Sequence, residues 1–319
     1  MNRAYIPLRA FDPLAGTVVM EPERNERGYW VGCPSVLREN TGEFWLTYRQ
    51  RRPRGAKAER GWRCAVAVSD DGLNFSDVWS VHKDELPTPS MERFCLIRAS
   101  GSGYRLYLSY VDPADGRWRI DSVAAGHPAS FDISSREPVL TAGSTGTEGV
   151  KDPLVLQVGP VTYMFVSFAA PIDGLDPKAH STGDIYNVGA TTHPSGLAIS
   201  TDGENFSWRG EILSVGSGWN RYQARLSSVA AVPGGYVGFY DGSASCDDNY
   251  EEHCGIAVSP DLLTWHCLTD GGPWVQSPNA TGSLRYFDAF ILDGEWWIYY
   301  ELTRPDYAHE LRLIRLPAV

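Results

Sequence analysis

With 319 residues, 43% of them hydrophobic, and a formal net charge of -11, the chain can bury a large core but lacks the basic face that binding to nucleic-acid phosphates requires. Met1 to Pro7 carry no apolar run of the signal-peptide kind and no stretch approaches a membrane span, so a cytoplasmic protein with neither nucleic-acid nor membrane partners is expected. The six cysteines are scattered and mostly on predicted strands, which suits reduced thiols; Cys246 and Cys254 bracket one loop and are the candidate pair.

In chain order, the predicted elements begin with a strand at about residues 16–22. Residues 33–37 make an apolar strand, and Phe44, Trp45, Leu46, Thr47 and Tyr48 nearly alternate large and small side chains, the period-2 signature of sheet. A third strand at 64–68 runs into Ser69, Asp70, Asp71, Gly72, Leu73, Asn74 and Phe75, where Asp and Gly make a tight turn and the ring plugs the next layer. The pattern returns at 93–97, in a strand ending near Tyr110, and at 119–123. It returns again at 152–156, in a strand ending near Phe168, at 196–200, in the turn from Ser200 to Phe206, and in a fourth strand around 211–213. Residues 225–229, a strand ending near Tyr240, residues 255–259 and the turn from Ser259 to Trp265 form the next unit. The last has strands at 288–292, 296–300 and 311–315 but no fourth, and the N-terminal strand is the piece that would complete it.

Five units at a spacing of roughly 60 residues predict an all-β, five-bladed β-propeller of four-stranded antiparallel blades. The ring would be closed by the N-terminal strand joining the C-terminal blade, and residues 1–319 would form a single domain without a linker. A β-sandwich uses similar strands but does not repeat a turn motif at this period.

Propeller geometry gathers the starts of first strands and the ends of second strands at one mouth. Aligning the first strands places Cys33, Arg93, Asp152, Arg225 and Asp288 at one level, with Glu92, Lys151 and Tyr286 just before them and Asp241 and Glu301 at second-strand ends. Buried charges need partners, and Arg93 and Arg225 can neutralise Asp152 and Asp288. Carboxylates sharing a cleft are also the raw material of acid/base catalysis. The candidate catalytic residues are Asp152, Glu92 and Asp288: Asp152 as the ionised base beside Lys151, and Glu92 or Asp288 as the acid. Candidate substrate-binding residues are Arg93, Lys151, Arg225, Asp241, Glu301, Tyr240 and Arg49; arginine forks suit an anionic sugar or phosphate, and Tyr240 offers a stacking face. Arg51, Arg52 and Arg54 read equally well as solvated loop charge.

Lys151-Asp152-Pro153 at the opening of an innermost strand, the turn from Ser259 to Trp265 and the five units together resemble the five-bladed propeller glycosidases, glycoside hydrolase families 43, 32, 68, 117 and 130 and their relatives. The resemblance does not single out one family. It implies acidic residues at the central mouth and cleavage of furanosides or pyranosides, or, in family 130, phosphorolysis of mannosides. Where families 43 and 32 carry a first-unit Asp, this chain has Cys33-Pro34, and their third-unit acid has only Glu148-Gly149 as a counterpart. Some of these enzymes hold an axial calcium ion, but the histidine that helps hold it has no clear match; no cofactor is required, calcium is possible without a motif to support it, and no metal site is assigned.

Three classes of function fit: a glycoside hydrolase, a phosphorylase, and a carbohydrate-binding propeller without catalysis or recruited to other chemistry. All three take a small-molecule carbohydrate as partner. The connection at residues 169–193 is a candidate lid, and the acidic loop at 246–254 matches no EF-hand or zinc spacing. Cys33 is a candidate nucleophile or a buried strand thiol. Oligomeric state has no signature in the sequence.

Overall fold

The computed structural model describes residues 9–55, 59–99 and 101–318; the segment read for a targeting signal, Met1 to Pro7, lies outside them. β1 (Thr17–Met20) comes first. β2 (Trp30–Arg38), β3 (Phe44–Arg51), β4 (Arg63–Ser69) and β5 (Ser76–His82) follow as an antiparallel group in chain order. β6 (Cys95–Arg98), β7 (Tyr104–Val111), β8 (Trp118–Ala125) and β9 (Glu137–Leu140) form the second group, and β10 (Gly149–Val158), β11 (Val161–Ala169), β12 (Ser195–Ser200) and β13 (Ser207–Leu213) the third. β14 (Gln223–Val232), β15 (Gly235–Ser243), β16 (His253–Ser259) and the two-residue β17 (His266–Cys267) make the fourth. β18 (Leu284–Leu292), β19 (Glu295–Thr303) and β20 (His309–Pro317) end the chain, and β1 pairs antiparallel with β20, Thr17 opposite Leu313. A parallel bridge from Trp30 to His309 links this group to β2, so the first and last groups share one sheet. No helix among the described residues is long and apolar enough to cross a membrane.

The apolar core lies between successive groups. Trp45 and Val66 pack with Leu106 and Leu108; Tyr107 and Ile120 with Met164 and Val166; Phe165 and Leu197 with Leu226 and Tyr240; Phe239 and Ile256 with Phe287 and Trp296. Leu46 and Ala67 of the first group pack against Tyr299 and Leu313 of the last. Each sheet therefore buries both faces, which is why its strands are apolar on both sides rather than strictly alternating.

The repeated turn works as its residues dictate. Asp71 Oδ1 accepts the Leu73 and Asn74 N–H groups at 2.8 Å each, Asp202 Oδ1 does the same for Glu204 and Asn205, and Asp261 Oδ1 for Leu263 and Thr264. The position after the aspartate is left-handed in all three, with φ of 71° at Gly72, 74° at Gly203 and 69° at Leu262. The following rings, Phe75, Phe206 and Trp265, pack on Tyr299, Tyr107 and Phe165 of the preceding group.

One boundary differs from the sequence reading. The second group's first strand begins at Cys95 rather than at Arg93, because Glu92, Arg93 and Phe94 leave the ladder after an isolated bridge between Met91 and Tyr110.

Candidate functional site

Residues of β2, β6, β10, β14 and β18 line one cavity of about 220 Å³, so the first strands of the groups surround a common channel. At one end of it four of these strands slip register at the same rung: between Gly32 and Ser35, Lys151 and Leu154, Leu226 and Ser228, and Arg285 and Asp288. Such bulges re-aim side chains. Cys33, Asp152 and Tyr286 stand in them at φ of 54°, 58° and 50°. Non-glycine residues hold that conformation at a cost of about 1–3 kcal/mol each, sustained by their surroundings. Here the surroundings are side chains of the preceding group: Cys33 N–H donates to Glu301 Oε2 (3.2 Å), Asp152 N–H to Ser109 Oγ (3.1 Å) and Tyr286 N–H to Asp241 Oδ1 (3.0 Å).

These bulges correct the aligned ring. Gly32, Lys151, Arg225 and Arg285 are the equivalent residues, opposite Arg49, Ser167, Asp241 and Glu301. Arg225 therefore stands one rung before Cys33 and Asp152. Tyr286 takes the place assigned to Asp288, which lies two residues further into the channel. A count along each strand cannot see a bulge, because the extra residue leaves the apolar pattern intact.

At the bulges a buried polar cluster forms. The Tyr286 hydroxyl accepts from Arg225 Nη1 at 2.8 Å and lies 3.3 Å from both Glu92 Oε2 and Asp152 Oδ2. Glu92 pairs with Arg49 (2.6 Å), and Asp152 with Arg225 (2.8 Å) and Lys151 (3.6 Å). Arg225 also holds Asp241 (2.8 Å), while Arg285 bridges Glu252 (2.5 Å) and Glu301 (2.7 Å). His309 Nδ1 lies 2.8 Å from Glu301, and the Cys33 thiol donates toward Glu92 at 3.8 Å. All these side chains are buried.

Burial and charge set their protonation. Burial alone would raise the Asp152 carboxyl, but Lys151 and Arg225 more than offset it and hold the group below the usual carboxylate range. Arg285 does the same, against burial, for Glu252 and Glu301. Asp241 goes the other way: burial, with Glu252 adding to it, pushes it up to about 6 despite Arg225. Burial raises the Cys33 thiol and the Tyr286 hydroxyl well above their ordinary values, so both stay protonated. A protonated thiol is a poor nucleophile, which leaves Cys33 as a buried strand cysteine.

Three loops cover the cluster. Asp184, from the 169–193 connection, pairs with Arg54 (2.6 Å) and Arg60 and accepts from the Tyr250 hydroxyl. Lys151 Nζ lies 4.4 Å from the centre of the Tyr186 ring, and Arg51 sits over Trp30 (4.0 Å) and Tyr250 (4.5 Å). Several buried polar atoms here have no partner within the described protein: Glu92 Oε1, Gln223 Oε1, both His193 nitrogens, and Nε and Nη1 of Arg51. Folded interiors satisfy nearly all such groups, so their concentration marks where a polar ligand would be recognised.

The structure thus gathers Glu92, Asp152, Lys151, Arg225, Asp241, Glu301 and Arg49 in one cluster. Arg93 joins it by its backbone, whose N–H donates to Asp152 (3.2 Å), while its guanidinium turns into the channel to the Ser227 carbonyl and Asp288 (3.8 Å). Asp288 is not brought to the cluster; its Oδ2 accepts the Val36 N–H deeper in the channel. Tyr240 faces away, stacked on Trp219 and bonded to Thr269 and Asn220, since period-2 alternation sends it to the opposite side of β15 from Asp241. Sequence reasoning missed Arg285, which shares the register of Arg225. It also gave no site role to Glu252, Asp184, Tyr250 and His309, the first three on the loops at 246–254 and 169–193 that it had singled out. The acidic loop at 246–254 sends Glu252 to arginines. Among the described residues no group of His, Cys, Asp and Glu has the geometry to hold a metal ion, and all six cysteines are free, Cys246 and Cys254 included.

No protein-family model and no curated protein sequence matches the chain. Solved structures do: the fold is the propeller-like fold of glycoside hydrolase structures. One named simply a glycoside hydrolase superposes with a TM-score of 0.69 at 13% identity, over 93% of this chain and 90% of that one. A GH43_1 enzyme from Xanthomonas citri gives 0.62 at 14% identity, over 94% and 90% of the two chains. A β-1,2-mannobiose phosphorylase from Listeria innocua, in complex with β-1,2-mannobiose, gives 0.64 at 13% identity over 100% and 97%. At such identities the likeness is one of fold alone.

Proposed function

We propose that the chain is a five-bladed β-propeller enzyme that cleaves a glycosidic bond by carboxylate chemistry at Glu92 and Asp152. The observation that carries this reading is the convergence of these two carboxylates, in unlike surroundings, on the Tyr286 hydroxyl. Asp152, held ionised by Lys151 and Arg225, acts as nucleophile or as the base that activates water. Glu92, paired with Arg49 and with Oε1 unpartnered, is the second carboxyl, placed on the side of the leaving oxygen. The two facing oxygens are no further apart than the sum of two 3.3 Å contacts, a bound that admits the ~5–5.5 Å of retaining pairs and only the lowest end of the ~6.5–9.5 Å of inverting ones. The mouth's buried cations favour an acidic sugar over a neutral one.

Phosphorolysis is the second reading, supported by the fold shared with a mannobiose phosphorylase over the whole chain and by the same cations. Incubation with a panel of aryl glycosides, uronides included, with and without inorganic phosphate, separates the two by product: free sugar or sugar phosphate. Turnover should fall by about 10²–10⁴ in Asp152→Asn. A folded D152N protein that turns over its substrate like the wild type would overturn the assignment and leave a carbohydrate-binding propeller or a different reaction centre.

A further inference from the structure

Among the described residues, every cation buried in the cluster has a carboxylate partner except one. Arg49 pairs with Glu92, Lys151 and Arg225 with Asp152, Arg285 with Glu252 and Glu301, and Arg60 with Asp184. Arg51 is only 7% exposed, has no ion pair among the described residues, and keeps Nε and Nη1 unpartnered. It lies instead over the aromatic faces of Trp30 and Tyr250, at 4.0 and 4.5 Å from their centres. Burial pushes its guanidinium down to about 10, with Arg49 adding to the effect, so the position is costly for a charge that nothing inside the protein neutralises.

The geometry points to Arg51 as the anchor for the single carboxylate of an acidic sugar, bound with its glycosidic carbon beside Glu92 and Asp152. The inference rests on the glycoside-cleaving reading above and names its substrate class. Arg49 and Arg51 are two residues apart on β3 and so face the same side, about 7 Å from one another along the strand. Arg49 holds Glu92, so a group on Arg51 stands one rung from the reacting carboxylates, the reach of a sugar ring. One unneutralised guanidinium matches a monoanion. A phosphate dianion would ask for a second unneutralised cation, and the neighbouring Arg49, although its Nε and Nη2 make no hydrogen bond, is neutralised by Glu92 and Glu301. Aromatic rings beside the guanidinium favour planar, in-plane recognition of the carboxylate kind.

The test is thermal shift and calorimetric titration of wild type, Arg51→Met and Arg51→Lys with D-glucuronate and D-galacturonate, against D-glucose, D-galactose and inorganic phosphate. At least one uronate should bind wild type at least tenfold more tightly than its neutral counterpart, and R51M should lose that preference. R51M should also melt at or above wild type, since it sheds an unpaired buried charge; R51K should recover part of the uronate affinity. The inference is overturned if neither uronate is preferred over its neutral sugar or if phosphate alone binds. It is equally overturned if R51M melts lower while binding uronate as before, the result of a merely structural stack on Trp30 and Tyr250. Uronate binding lost in R51M with no aryl glycoside turned over would keep the anchor and sink the glycosidase reading. Turnover of neutral glycosides without uronate preference would do the reverse.

Discussion

Asp288→Asn separates the channel from the reaction centre. Burial pushes the Asp288 carboxyl up to about 6, against the pull of Arg93 and the Val36 N–H. In the unfolded chain the group titrates near 3.9, so between those values the folded state binds more protons and stability falls as pH rises. Roughly two pKa units at 1.36 kcal/mol each make the ionised group cost about 3 kcal/mol of stability at pH 7 compared with pH below 4. Asparagine keeps an oxygen for the Val36 N–H and never ionises. D288N should therefore match wild type at pH 4 and exceed it at pH 7 by up to about 3 kcal/mol. Asp241, also raised to about 6, should keep roughly half of the wild-type slope in the variant. Urea midpoints taken at half-unit steps from pH 4 to 8 read this directly. Below pH 4 both proteins should lose stability, because Asp152, Glu252 and Glu301 have depressed pKa values and their contribution disappears as they protonate. Parallel pH curves for the two proteins would refute the linkage argument. Loss of turnover in D288N with its stability gain intact would return Asp288 to the chemistry, where sequence alone had put it.

Removing only the hydroxyl in Tyr286→Phe should cost about 1.5–3 kcal/mol, because Arg225, Glu92 and Asp152 lose a shared polar partner, and it should shift the acid limb of the pH–rate profile; an unchanged profile would show that the hydroxyl does not couple the carboxylates. Gly61 adopts φ 52°, and a Cβ there would meet the Met91 carbonyl oxygen at 1.8 Å, so Gly61→Ala should lower stability by about 2 kcal/mol or more, read from the denaturation midpoint.

The strand pairs and their order were legible because two signals coincide at each unit: aromatic-rich alternation and an Asp turn whose chemistry is local. The pairing of the N-terminal strand with the last group followed from counting, since the last unit lacked a strand and β1 supplied it. The bulges were not legible. They moved Asp288 out of the ring, put Tyr286 into it and hid Arg285, although Arg225 and Arg285 share one register. Glu252, Asp184 and Tyr250 come from loops, whose course depends on contacts with other groups rather than on any local pattern. Arg51 did leave a signal: as the residue two beyond Arg49 on an alternating strand it had to face the same side, and treating it as loop charge overlooked that period.

The one-sidedness of the channel argues that its charge is functional. The same first strands that carry Lys151, Asp152, Arg225 and Arg285 at one end, with Glu92 in the segment leading into β6, line the 220 Å³ cavity with Val36, Leu96, Ile97, Leu156 and Val229 further along. This stretch packs around the common axis with the Arg93–Asp288 pair as its ion pair, far fewer charges than the other end gathers. Buried ion pairs are in any case weak sources of stability, because desolvation consumes most of the Coulombic gain. A purely structural demand would give no reason to concentrate paired charges, unpartnered polar atoms and three left-handed non-glycine residues at a single end. The proposed chemistry would supply one: acid/base work needs carboxylates whose pKa values are pushed apart in a dry, rigid setting, and the contrast between Asp152, held down, and Asp241, pushed up to about 6 within the same cluster, fits that proposal.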